Sequence, residues 1–170
     1  MKVGFLGSAG KIHFYRWATW LVRHGHRVVL FSDLPPAPGF DYSSMKIIRP
    51  DWNLWRKFLV FKLKGGRYAN NWEKWRAYRA SILHERPDVL HGHEALAYGA
   101  TLRKFPEFPR VLNPWGPDIE LLAVPGQPEE AKELVRHALD AADLISTNAP
   151  GLEEHWSRLT GQPVSKFRFF

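Results

Sequence analysis

The chain has 170 residues, 45% hydrophobic and 14% aromatic, which suits one domain with a sizeable core and excludes a disordered chain. It holds no cysteine, excluding disulfides and thiolate metal sites and fitting a cytosolic setting. Its net charge is +7, its longest apolar runs, Val28–Phe31 and Phe58–Phe61, are far too short to cross a bilayer, and no secretory signal is visible at the start.

In chain order, the apolar run Val3–Leu6 meets a glycine-bounded turn, Gly7–Gly10, and reads as a strand entering a tight loop. Phe14, Trp17, Ala18, Leu21 and Val22 then recur at helical spacing, a stripe that faces a core, and Gly25 suits a left-handed cap. Val28–Phe31 is a second strand, Pro35, Pro36, Pro38 and Gly39 form a loop, and Met45–Ile48 is a short third strand. Trp52–Lys64 reads as a helix with a broad aromatic and aliphatic face, broken by Gly65 and Gly66, and Asn71–Glu85 as another. A turn at Pro87 and Asp88 leads into a strand through Val89 and Leu90 that ends in His91-Gly92-His93. Glu94–Leu102 is expected to be helical, and Arg110–Asn113 is a strand that ends at Pro114–Asp118.

The clearest helix carries Ala131, Leu134, Val135, Ala138, Leu139 and Ala142 on one face, with Glu129 and Glu130 at the positive end of its dipole. Asp143–Ser146 is a strand, Pro150 suits the first turn of a further helix, and Gln162–Phe170 is a last strand. Strand and helix alternate throughout. That pattern predicts an α/β fold, a single Rossmann-like domain in three layers, α/β/α, around a doubly wound parallel sheet. Ligands in such sheets sit beyond the carboxyl ends of the strands, so the loops Gly7–Gly10, His91–His93, Trp115–Asp118 and Thr147–Asn148 are expected to gather on one edge.

Each loop admits a chemical and a structural reading. Gly7, Ser8, Ala9 and Gly10 lead into a helix N-terminus whose N–H groups suit a phosphate; a tight turn is the structural reading. Their spacing departs from the dinucleotide fingerprint, although Asp33 at the end of the second strand resembles its ribose-binding acid. A nicotinamide or flavin oxidoreductase is therefore one alternative. His91 and His93 share a strand face; one is expected in the core and the other facing a cleft, where an imidazole can bond a hydroxyl or a developing charge, and two structural histidines are the alternative. No third ligand accompanies them locally, so no metal is expected. Trp115, Gly116 and Asp118 combine an aromatic plate, a flexible backbone position and a carboxylate; capping the helix that starts at Ile119 is the structural reading of Asp118.

The charge is unevenly placed. Residues 45–87 hold eleven cations and three acids, a net +8, and the remainder carries −1. Within the basic, Trp-rich helical segment 50–86, Arg56, Lys57, Lys62 and Lys64 alternate with apolar bulk, as helices bound to anionic lipid do. A solvated helix with its aromatics in the core is the alternative, and nucleic acid is disfavoured because no such module is recognisable. A non-catalytic module that docks on a membrane or partner through these cations is the second functional reading.

Four segments together resemble the N-terminal half of a retaining glycosyltransferase of the GT-B type, in the large group called family 4. HFYRWATWLVRHGHRVVLFS is similar to the family's first helix and second strand, and RPDVLHGHEALAYGA to its PDVVHAH segment. NPWGPDIELLA resembles the HGSD or WGSD loop, and ALDAADLISTNAPGLEEHW the helix, strand and helix before the domain linker. The resemblance implies an acceptor-binding domain over residues 1–170, with Gly7–Gly10 near the donor phosphates, His13 and Arg16 facing the cleft, His93 as a catalytic acceptor-side group, and Trp115, Gly116 and Asp118 lining the interdomain gap. It also implies a nucleotide-sugar as co-substrate, no cofactor or metal, a sugar acceptor that is lipid-linked or part of a cell-envelope glycan, and a C-terminal donor-binding domain or subunit. The expected setting is cytoplasmic, peripheral at the inner face of the membrane. Two residues depart from the family pattern. Trp115 stands where many members have histidine, and Pro117 replaces a serine. The C-terminal half is missing, so the expectation is a truncated piece or one part of a split enzyme, inactive alone.

Overall fold

The computed structural model describes residues 1–49 and 70–169. The helix expected over Trp52–Lys64, with Arg56, Lys57, Lys62 and Lys64, lies outside them. Two compact units are present, Met1–Val89 and Leu90–Phe170.

The first unit contains β1 (Lys2–Gly7), α1 (Ile12–Arg23), β2 (Arg27–Ser32), β3 (Lys46–Ile48) and α2 (Asn70–Glu85). β2 pairs in parallel with both β1 and β3, setting Gly7 opposite Ser32 and Phe31 opposite Ile48. Strand alternation sends Val3 and Phe5 of β1, and Val28 and Leu30 of β2, into one cluster with Phe14 and Ala18 of α1. Phe5 and Phe14 stack at 4.6 Å. Burial of one such ring is worth about 1.5–3 kcal/mol. The alternate β2 residue Phe31 instead meets Tyr78 of α2 edge-on at 5.9 Å, so the two helices cover opposite faces of the strands. Gly25 follows α1 at φ 80°, the left-handed geometry that its position in the sequence suggests.

The second unit contains β4 (Val89–His93), a wide π-helical turn (Glu94–Gly99) running into α3 (Ala100–Leu102), β5 (Arg110–Asn113), α4 (Gly116–Glu120), α5 (Glu129–Ala141), β6 (Leu144–Thr147), α6 (Leu152–Thr160) and β7 (Phe167–Phe169). The strands follow the order β3-β2-β1 in the first unit and β4-β5-β6-β7 in the second, and every ladder within each unit is parallel. This is the α/β, Rossmann-like arrangement that strand–helix alternation predicts.

Three local features differ from the sequence reading. The helix expected at Glu94–Leu102 opens in π geometry, and this turn presses Gly99 so close to β5 and α5 that a Cβ there would lie 2.5 Å from Leu112 Cδ1 and 3.1 Å from Ala138 Cβ. Pro150 precedes α6 instead of joining its first turn, because Gly151 takes φ 82° at the N-cap. The last strand is shorter than expected. A 3-10 turn over Val164–Lys166, closed by the Lys166 N–H on the Pro163 carbonyl at 2.9 Å, occupies its first half.

Two acids fasten the amino ends of strands. Asp88 accepts the Lys2 N–H at 2.6 Å and its own N–H donates to the Lys2 carbonyl at 2.8 Å. Asp143 does the same to Arg110, with both bonds at 2.8 Å, and adds a guanidinium contact at 2.9 Å. These are the acids of the PDV and AADL segments.

Glu85, buried at the end of α2, joins three elements of the first unit. Its carboxylate meets Lys2 Nζ at 2.7 Å and Lys46 Nζ at 2.5 Å. Hydrogen bonds from Lys2 and Lys46 hold its pKa at about 2, below the ordinary 4.5. The folded value is the lower one, so this stabilisation is complete above about pH 4.5 and disappears as pH falls toward 2. Glu85→Gln is expected to cost about 1–3 kcal/mol at neutral pH and to flatten the acid limb of a melting-temperature profile between pH 4.5 and 2. An unchanged acid limb in the variant contradicts this role.

Candidate functional site

Parallel pairing of β4, β5 and β6 brings their carboxyl ends to one edge of the second unit, with His93 opposite Asn113 and Leu112 opposite Ile145. Three of the four expected loops therefore leave from that edge: His93–Ala95, Pro114–Asp118 and the turn after Thr147. The strand ends there are polar yet buried. His91 is 6% exposed, His93 2%, Asn113 4%, Ser146 1% and Thr147 0%. Asn113 Nδ2 donates to Ser146 Oγ at 2.5 Å, and the Thr147 hydroxyl has no hydrogen-bond partner among the described residues.

Both expected imidazoles are on one side of β4, with ring centroids 6.1 Å apart. Both are enclosed, where the sequence reading places one of them facing a cleft. His93 is the one that reaches the loop chemistry, meeting Trp115 edge-on at 5.7 Å and 81°. Burial pushes the His91 pKa down to about 3. That keeps its ring neutral across the physiological range.

Asp118 caps the helix from within it, reaching back to the N-cap N–H, where the sequence reading places it at the cap position itself. Trp115 is the N-cap of α4, and Asp118 is the third helical residue. The Asp118 Oδ2 accepts the Trp115 N–H at 3.2 Å and the Ala95 N–H at 2.7 Å, while the Asp118 N–H donates to the Trp115 carbonyl at 2.8 Å. One carboxylate thus ties the loop after β4 to the loop after β5. It is buried; burial raises its pKa, and the two N–H donors oppose that rise. Pro117 lies in the first turn, where the N–H it lacks would have no helical partner, so this departure leaves the helix start intact. Trp115 and Gly116 are half-buried, and among the described residues no atom beyond its chain neighbours lies within 4 Å of a Cβ built on Gly116, so this position is open.

The Gly7–Gly10 loop belongs to the first unit. Gly7, Ser8 and Ala9 are buried and Gly10 is partly so. Ala9 is held on both sides: its N–H donates to Ser32 Oγ at 2.8 Å and its carbonyl accepts Tyr42 Oη at 2.9 Å. Burial pushes the Tyr42 phenol well above its usual range, keeping it a donor. Ser32 and Tyr42 are site residues that sequence reasoning missed. Ser32, the polar residue ending an otherwise apolar strand, was the available signal; nothing local marked Tyr42.

Ser8 Oγ is buried without a hydrogen-bond partner among the described residues, 3.9 Å from the Cβ position of Gly10. α1 begins just beyond, with Lys11 at its N-cap, no side-chain cap and no acid in its first turn. Its leading N–H groups and positive dipole end therefore suit an oxyanion. His13 and Arg16 are exposed on the first turns of this helix. Among the described residues no group of three or more His, Cys, Asp or Glu could hold a metal, and no helix is long and apolar enough to cross a membrane.

A profile described as a glycosyl transferase 4-like domain matches residues 10–167. No curated protein sequence matches the chain. Among solved structures, the sucrose-phosphate synthase of Thermosynechococcus elongatus is 14% identical with a TM-score of 0.70, covering 99% of this chain and 47% of its own. The MurG of Acinetobacter baumannii is 15% identical with a TM-score of 0.54, covering 99% and 44%. The UDP-GlcNAc 2-epimerase of Methanocaldococcus jannaschii is 10% identical with a TM-score of 0.57, covering 99% and 45%. The chain spans about half the length of these three structures, and at such identities the likeness is one of fold.

The enclosure of His91 has a spectroscopic consequence. Nitrogen-15 spectra of the imidazoles across a pH series are expected to show His91 neutral from pH 8 down to about 4, protonating only near 3. Below about pH 6.5 an unfolded chain takes up that proton while the folded one does not, so this group makes stability fall with acid. A His91 midpoint near 6.5 contradicts the enclosed position.

Proposed function

The chain belongs to the glycosyl transferase 4-like domain family, and from that premise we propose that it is the acceptor-side half of an enzyme moving a sugar from a nucleotide donor to an acceptor with retention of configuration. The observation that carries the reading is the uncapped α1 N-terminus next to Ser8, whose buried hydroxyl lacks a partner among the described residues. A diphosphate supplies the negative charge and acceptor oxygens that such a place takes.

In this reading Gly7, Ser8 and Gly10 receive the donor phosphates, Ala9 keeps the loop in shape through Ser32 and Tyr42, and His13 and Arg16 add polar reach from the exposed turns of α1. Trp115 offers a face for a sugar ring, Gly116 the space beside it, and His93 the polar group behind the tryptophan. Asp118 serves by holding the two loops in register. Catalysis then rests on positioning the acceptor and on fixed dipoles that stabilise the departing diphosphate, with the nucleotide-sugar as co-substrate and without cofactor or metal. A C-terminal donor-binding domain or subunit supplies most of the nucleotide contacts. The cations of segment 50–86, Arg56, Lys57, Lys62 and Lys64 among them, suit an anionic inner membrane face and a lipid-linked or envelope acceptor.

The test compares the purified 170 residues with the same chain joined to a donor-binding half, each given a panel of nucleotide-sugars and acceptors. The chain alone is expected to be silent, and the joined protein to transfer with the anomeric configuration kept, read by proton NMR of the product. Transfer by the chain alone, an inverted product, or an epimerised nucleotide-sugar in place of transfer overturns the proposal.

A further inference from the structure

The first 32 residues hold five Lys and Arg and no acid, a net charge of +5. Lys2 is neutralised by Glu85, whereas Arg16 and Arg23 of α1 are exposed and form no ion pair among the described residues. Elsewhere Arg110, Arg136 and Arg158 each stand against a carboxylate.

Helical spacing fixes which side of α1 carries these arginines. Phe14 and Ala18 are buried in the first unit's core. At about 100° per residue, the opposite side carries Ile12, Arg16, Trp20 and Arg23. Ile12 is 42% exposed and Trp20 47%. The other tryptophans whose burial is described, Trp17, Trp115 and Trp156, are half-buried or buried. His24 steadies the exposed indole. Its ring stacks on Trp20 at 3.9 Å and 29°, and its Nδ1 lies 2.8 Å from the Trp20 carbonyl, which can only accept, so that nitrogen carries the proton. The indole is therefore held in a set pose while still exposed, which lowers the ordering cost of a contact made there.

The chemistry of this face selects its occupant. Ile12 and Trp20 are about 12 Å apart along the helix axis with Arg16 between them. They form no continuous apolar patch of the kind that the core of a protein interface needs. An anionic lipid surface needs none: single apolar side chains enter the headgroup layer, tryptophan favours that depth, and unpaired arginines meet lipid phosphates.

We propose that the outer face of α1 lies flat on an anionic membrane surface, with Trp20 entering the headgroup layer and Arg16 and Arg23 contacting lipid phosphates. This goes beyond the transferase reading and does not rest on it.

The experiment sediments the purified 170-residue chain with phosphatidylcholine vesicles, with and without phosphatidylglycerol, at low and high salt. Binding to the anionic vesicles alone, weakened by salt, is expected. The variants Trp20→Ala and Arg23→Glu lie at the end of α1 remote from Gly7–Gly10, and each is expected to lower the partition coefficient about five- to tenfold. Arg23→Gln, a surface change that leaves the fold intact, lowers it less and in the same direction. Arg103→Glu, the same charge change at an exposed position of the second unit, leaves it unaltered. Absence of binding to anionic vesicles overturns the proposal. So does an equal loss in Arg103→Glu, which makes net charge the cause. So does full binding by the α1 variants with loss in a chain carrying Arg56, Lys57, Lys62 and Lys64 as glutamate, which puts the contact in that segment instead. Sugar transfer is assayed separately, so either reading can fail while the other stands.

Discussion

Two backbone N–H groups, one in each of two loops, end on a single buried carboxylate oxygen, Asp118 Oδ2. The geometry of the second unit's functional edge follows from that arrangement. A buried N–H without a partner costs about 1–3 kcal/mol, so Ala95 needs this acceptor, and the part-buried Trp115 N–H shares it. In a low-dielectric setting the two charge-assisted bonds are strong, and the charge is tolerable only because both are made. Release of either loop therefore leaves a buried group unsatisfied. The loops are fixed with respect to each other, and with them the edge contact of His93 on Trp115 and the left-handed turn at Glu94.

Acids at the other ends of the strands show the contrast. Asp88 and Asp143 each take the first N–H of a neighbouring strand and return their own N–H to its carbonyl, which sets strand starts and leaves nothing toward a ligand. Glu85 adds a third structural acid through Lys2 and Lys46. These acids thus fall into two kinds. Some lock the amino ends of strands, and Asp118 ties together the loops at the carboxyl ends, beside the open position of Gly116. The parallel ladders make that division possible, because they collect all loops of one type on one edge.

Much of this was legible from local pattern. The stripe Phe14, Ala18 and Leu21 and the face Ala131, Val135 and Ala138 declare their helices by spacing, and Gly25 declares its left-handed cap. The strand ends were readable because short apolar runs stop at glycine, proline or histidine. The braces were not. Ser32 and Tyr42 reach Ala9 from 23 and 33 positions away, Asn113 and Ser146 are 33 apart, and no periodicity links them. The turn at Glu94 was hidden for another reason: a glutamate carries no local sign of positive φ, and the helical pattern continues through it into a π-helix. Asp118 looked like a cap because an aspartate before apolar residues usually is one; its second partner, Ala95, is visible only in three dimensions. The aromatic helix over Trp52–Lys64 lies outside the described residues.

The two candidate ligand features complement each other chemically. In the first unit, an uncapped helix start with a buried hydroxyl suits an anion; in the second, an aromatic plate beside an open glycine suits a sugar ring. The proposed transfer from a phosphate-bearing donor to a hydroxylated acceptor calls for both, and both depend on loops held from behind. Hydrogen exchange at the Ala95 amide tests that dependence most directly. Protection at Ala95 comparable to that of β4, lost in Asp118→Ala while β4 itself stays protected, is the predicted result. An Ala95 amide that exchanges freely in the unaltered protein, or stays protected without the carboxylate, contradicts it.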